Sequence, residues 1–126
     1  MRWFLGVLLA FSLVSAAHSQ DSPYRKELKR ADLTGTKMEV ITSINEIKPG
    51  DASTLHVHHG EESFYVIEGG TIELKDGKQV PFPTGTTGIN RRDVPHGEFK
   101  VMGDKAIKYL SVHIVDKEAP LYDTPK

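Results

Sequence analysis

Cysteine is absent from the 126 residues. Disulfides are therefore excluded, and so is a lipid-bearing cysteine near the start of the chain. Blocks of like charge are also missing. The 16 Lys and Arg stand against 17 Asp and Glu, a formal net charge of −1, which argues against a nucleic-acid groove or an acidic tail. No nucleophile elbow, phosphate loop or dinucleotide fingerprint occurs. The length suits one domain rather than two. A domain of this size without disulfides must be held by its core, by a metal or by oligomerising.

What is present begins with a segment of different composition. Arg2 precedes an apolar run from Trp3 to Val14, followed by the small residues "SAAHSQ". The run is shorter than the ~20 residues a spanning helix needs. Residues 1–19 therefore read as a cleavable secretory signal peptide, cut after Ala17 or Ser19. The expected location is periplasmic or secreted, with no stable membrane insertion after cleavage.

Residues 20–36 are polar and weakly patterned, and are expected to form a solvated N-terminal arm or an edge strand pairing with a second subunit. Residues 37–116 carry the domain. Met38, Val40, Ile41 and Ile44 form a β-branched run, "TLHVHH" and "ESFYVIEGG" read as strands, and "TIELK" alternates apolar with polar. Asp76-Gly77 signals a tight hairpin. "AIKYLSVHIV" is the longest β-type run, and residues 117–126 read as a loose C-terminal tail. Eleven Gly and seven Pro favour turns over long helices. About eight short strands and no helix are expected, which makes the chain all-β, a sandwich or barrel.

"HVHHGEE" (residues 56 to 62) concentrates ligand-type side chains. Along a strand, alternate residues share a face, so His56 and His58 point together while His59 has the opposite parity. The strand after the "HGEE" turn is expected to return antiparallel to the first. Glu61 and Glu62 differ in parity, so only one can face the site, and geometry leaves open which.

The spacing around this stretch resembles the cupins, whose first motif is G-x5-H-x-H-x3–4-E-x6-G. Gly50, His56, His58, Glu62 and Gly69 fit every interval, and the resemblance selects Glu62 over Glu61. The second cupin motif, G-x5-P-x-G-x2-H-x3-N, is matched in register by Gly85 and His96. It departs at Arg91, where proline is usual, at Asp93, where glycine is usual, and at Lys100, where asparagine is usual. Asp tolerates the left-handed turn that glycine would supply. The resemblance implies a small cupin β-barrel (a double-stranded β-helix or jelly roll) with a metal site of His56, His58, Glu62 and His96. Such a set suits one divalent transition metal, Fe, Mn, Ni, Co, Cu or Zn.

Phe64 and Val66 share the parity of Glu62 and are candidate pocket walls. Glu98 shares that of His96 and is the candidate acid or base. Arg91 is a candidate anion clamp at the mouth. Tyr109, Ser111 and His113 share one face of the last strand, which makes His113 a further pocket candidate. The expected function is a metal-dependent, dioxygenase-like enzyme acting on a small organic molecule. The alternatives are a non-catalytic small-molecule or metal-binding module, and a metal-dependent isomerase, lyase or germin-like manganese protein. The two-sided apolar pattern of "AIKYLSVHIV" adds an expected homodimer.

Overall fold

From Met38 to Ile47 burial alternates residue by residue in the computed structural model: Glu39, Ile41, Ser43, Asn45 and Ile47 are buried, and the residues between them are half-buried or exposed. The structure describes residues 21–126; residues 1–19, expected from the sequence to be a signal peptide, lie outside them. The strands among the described residues, in chain order, are β1 (Arg25–Asp32), β2 (Met38–Ile47), β3 (Ala52–Ser53), β4 (Gly60–Glu68), β5 (Gly70–Leu74), β6 (Gln79–Phe82), β7 (Thr87–Asn90), β8 (Phe99–Met102) and β9 (Ile107–Asp116). None of the described residues is helical, so the all-β expectation holds.

The strands make two antiparallel sheets, ordered β1-β2-β9-β4-β7 and β3-β8-β5-β6. Their inner faces meet. Ile47 of β2 and Ile107 of β9 pack with Ile72 of β5 and Val101 of β8, with Phe82, Phe99 and Tyr109 against them. Burying each aliphatic side chain is worth about 1.5–3 kcal/mol. The β5–β6 hairpin turns where Asp76-Gly77 predicted it: Gly77 has φ +82°, and its N–H donates to Leu74 O. The paired glycines after β4 have a different cause. A Cβ on Gly69 would lie 2.3 Å from the Thr84 nitrogen and 2.5 Å from the Phe82 oxygen, both backbone atoms. Only glycine lets the chain cross from one sheet to the other there.

Three expectations need correction. Residues 25–32 are not a solvated arm: β1 pairs along its length with β2 of the same chain, with a bulge between Glu27 and Lys29. Its other residues are exposed, but the Arg25 side chain is buried and donates to Ser43 Oγ at 2.7 Å. "TLHVHH" is not a strand of a hairpin with β4. It is an extended segment with one bridge to either side, His56 to His96 and Val57 to Asp123, while β4 lies between β9 and β7. The last residues are not a loose tail. Val57 and Asp123 exchange both backbone hydrogen bonds, at 3.0 and 3.1 Å, and the segment lies as a strap along the ligand-rich stretch.

Candidate metal centre

The segment from β3 to β4 carries His56 and His58 into the gap between the sheets. His56 and His96 exchange backbone hydrogen bonds at 3.0 and 2.9 Å, which brings two histidines 40 positions apart to ring centroids 4.4 Å apart. His58 lies 4.8 Å from each of them. Glu62 enters from β4 and is 4% exposed; His58 is wholly buried.

Each ring is tied off on its outer nitrogen. The Nδ1 of His56 faces Thr54 O at 2.7 Å, that of His58 faces Leu121 O at 2.5 Å, and that of His96 faces Val94 O at 2.9 Å. A carbonyl only accepts, so each Nδ1 carries a proton, and in the neutral ring Nε2 then holds the lone pair. The Nε2 atoms of His58 and His96 both lie 3.4 Å from Glu62 Oε2, buried and without a hydrogen-bond partner. Lone pairs converging on a carboxylate repel one another unless a cation lies among them. Burial pushes the His56 imidazole down to about 4, which keeps it neutral. The donor set therefore fits a first-row divalent ion, with outer-nitrogen hydrogen bonds of the kind that orient ligating histidines. Ligand atoms of His56, His58 and His96 lie within 4.8 Å of one another, as do those of His58, Glu62 and His113.

The cluster forms one end of a cavity of about 170 Å³. His56, Glu62 and His96 face it, and Phe64, Ile72, Phe82, Phe99, Asn90 and Tyr109 make most of its remaining wall. Asn90 on β7 sits opposite Glu62 in register and donates its Nδ2 to Glu62 Oε2 at 2.7 Å. Burial, then the Glu62 charge, pushes the Tyr109 phenol up, so it is a neutral hydrogen-bond donor.

A model of the cupin domain family matches residues 43–113, a span that carries every one of these side chains. The chain is a cupin. Solved structures agree on the fold at low identity. A conserved protein with a double-stranded β-helix domain from Klebsiella pneumoniae is 19% identical, covering 85% of this chain and 92% of its own, with TM-score 0.53. A cupin domain from Bordetella pertussis is 15% identical over 75% of this chain and 97% of its own, TM-score 0.51. The polyketide cyclase RemF from Streptomyces resistomycificus is 22% identical over 73% of this chain, TM-score 0.53. This cupin spans 65% of that cyclase and 44% of a DMSP lyase structure it also resembles. No curated protein matches the sequence.

Within this cupin the four residues picked out by the motifs do converge. The left-handed turn expected at Asp93 is there, with φ +57° and its N–H on His58 O at 2.9 Å. Phe64 lines the cavity, as expected, and the inward set Tyr109, Ser111 and His113 faces the interior. Four candidates do not line the cavity. His113 is wholly buried outside its wall. Val66 is fully buried in the barrel packing beyond it. Arg91 begins the turn closed by the Val94 N–H on its carbonyl and is exposed. Glu98 follows Gly97, and both have positive φ, +89° and +60°. Strand alternation fails across that pair, and the Glu98 carboxylate turns away to Lys75 Nζ at 3.0 Å.

Two contributors were illegible as motifs. Asn90 ends "TGTTGIN", a run that reads as a turn but whose second half is β7. Tyr122 and the Leu121 carbonyl belong to the C-terminal strap. The Tyr122 ring lies 4.8 Å from both His56 and His58. His59, set aside by parity, fastens the strap: its Nδ1 faces Asp93 Oδ1 at 2.7 Å and its Nε2 faces Asp123 Oδ2 at 3.0 Å. The bond to Asp123 leads in raising the His59 imidazole above its ordinary value.

Proposed function

We propose that this cupin is a metal-dependent enzyme acting on a small, largely apolar organic molecule, with a dioxygenase-like oxidation as the leading reaction. One observation carries the reading. Unpartnered histidine nitrogens and a buried carboxylate converge beside an aromatic-walled cavity. The proposed ligands are His56, His58, Glu62 and His96. A divalent transition metal held there supplies Lewis acidity, or an electron path to O2. Phe64, Phe82 and Phe99 would hold the apolar body of the substrate and exclude water. The Tyr109 hydroxyl would donate a hydrogen bond to a substrate oxygen. Asn90 would keep Glu62 turned toward the ion.

The test is aerobic turnover by metal-loaded protein, followed as O2 uptake across catechols, diketones and sugar acids. Consumption above the rate of the Glu62→Ala variant supports the reading; equality of the two across the panel removes it. A second reading, a binding module without turnover, is favoured by one specific feature. With Glu98 paired to Lys75, the only titratable group on the cavity wall besides the proposed ligands, among the described residues, is Tyr109. Ligand-dependent melting shifts without turnover would select it over the enzyme.

We propose in addition that residues 1–19 direct export to the periplasm or exterior and are removed, which the start of the mature protein read by mass spectrometry checks. The homodimer expectation is supported by the outer face of β4, β7 and β9, where Tyr65, Ile89 and Ile114 are 48%, 58% and 37% exposed. A stable monomer in sedimentation at micromolar concentration would remove it.

A further inference from the structure

We propose that His113 is a fifth protein ligand of the ion, contributing a fourth imidazole that the cupin motifs do not include. The proposal rests on the metal reading above. His113 lies on β9 directly opposite Glu62 on β4, and on an antiparallel pair such residues share a face and touch. Its Nε2 is 3.6 Å from Glu62 Oε1, beside 3.4 Å from His58 Nε2 and 3.4 Å from His96 Nε2 to Oε2. The carboxylate is thus ringed by three imidazole nitrogens at nearly one distance, and the motifs account for only two of them. His113 also forms a compact group with His58 and Glu62, every member of it buried.

The bland alternative is a histidine that merely fills the barrel. Its neighbours argue against that. Asn45, Ser111 and Ser43 along the same inner face each have at least one partner: Asn45 Nδ2 donates to Ser111 Oγ at 2.9 Å, and Arg25 donates to Ser43 Oγ at 2.7 Å, leaving only Asn45 Oδ1 unpaired among their side-chain atoms. His113 is 0% exposed, and neither of its ring nitrogens has a partner. Buried polar groups are nearly always satisfied, and one that is not calls for an explanation such as an ion. A fully buried imidazole, with its Nε2 aimed at a carboxylate that two other free Nε2 atoms also face, has that explanation at hand.

The consequence concerns the substrate. Five protein ligands on a six-coordinate ion leave one position for an exogenous donor. The molecule bound there would offer a single anionic oxygen, from a carboxylate, phenolate or enolate, with its apolar body among Phe64, Phe82 and Phe99. A two-point chelator would have to displace a protein ligand first.

The decisive readout is spectroscopic and needs no turnover. The full chain, labelled with ¹⁵N-histidine and loaded with ¹¹³Cd(II), should show cadmium coupling to four imidazole nitrogens. Three couplings would overturn the assignment of His113 while leaving the metal site intact. None would overturn the metal reading itself. His113→Ala and His113→Gln should each weaken Zn(II) binding at least about tenfold in chelator competition. If either folded variant holds Zn(II) within twofold of the parent, His113 is not a ligand. If neither folds, the coupling count in the unaltered protein decides alone.

Discussion

The two ends of the barrel interior are built from opposite materials. At one end Ile47, Ile72, Val101 and Ile107 bury hydrocarbon against hydrocarbon. At the other, His58, Glu62, Ser111 and His113 are just as deeply buried. Four of the five buried side-chain atoms without a hydrogen-bond partner among the described residues belong to the histidines around Glu62. Leaving such an atom unpaired costs about 1–3 kcal/mol. The polar end is therefore a poor way to stabilise a barrel and a good way to hold an ion. Stability should reside mainly at the first end and metal affinity at the second.

Substitutions at the two ends should separate these properties. The largest effect is expected from His96→Ala, which should lose nearly all bound metal in elemental analysis while the metal-free protein still unfolds cooperatively. Ile107→Ala should do the reverse. It should cost about 2–5 kcal/mol in denaturant unfolding and leave the metal stoichiometry unchanged; lost metal in a folded Ile107→Ala protein would break the division. Asn90→Ala tests how far the polar end extends. Removing the donor to Glu62 Oε2 should weaken metal binding by about 10–100-fold in chelator competition, with only a minor change in melting temperature. Truncation after Glu118 removes the Leu121 carbonyl from His58 Nδ1 and the strap's bridge to Val57. It should weaken metal binding about tenfold. The smallest effect belongs to Glu98→Gln, whose side chain faces Lys75 outside the cavity; metal affinity should stay within about twofold, as for a surface ion pair.

The same division explains what could be read in advance. Spacing along one short segment is encoded directly, so His56, His58, Glu62 and the turn at Asp93 were legible. Parity carried through the unbroken β9 as well, placing Tyr109, Ser111 and His113 on the inner face. It failed at Glu98, because two consecutive positive-φ residues end the alternation on which the argument depends. Pairing between distant segments was not legible. Nothing local in "TGTTGIN" announces that Asn90 will stand opposite Glu62, and nothing in "PLYDTP" announces a strap. Those contacts depend on sheet order and register, which arise from packing the whole barrel. The β1 arm misled for a related reason. Its residues are polar because an edge strand with an exposed face requires little else, and composition alone does not separate that from a solvated segment.

The central claim is that the buried polar end exists to hold an ion. Elemental analysis of the folded, unaltered chain after dialysis against Mn(II), Fe(II) under anaerobic conditions, Ni(II), Cu(II) or Zn(II) tests it most directly, with Glu62→Ala carried in parallel. The account predicts about one tightly held ion per chain for at least one of these metals, as expected for a three-histidine, one-carboxylate set, and a large loss in the variant. Folded protein that retains none of the five metals, or a Glu62→Ala protein that retains as much as its parent, would contradict it.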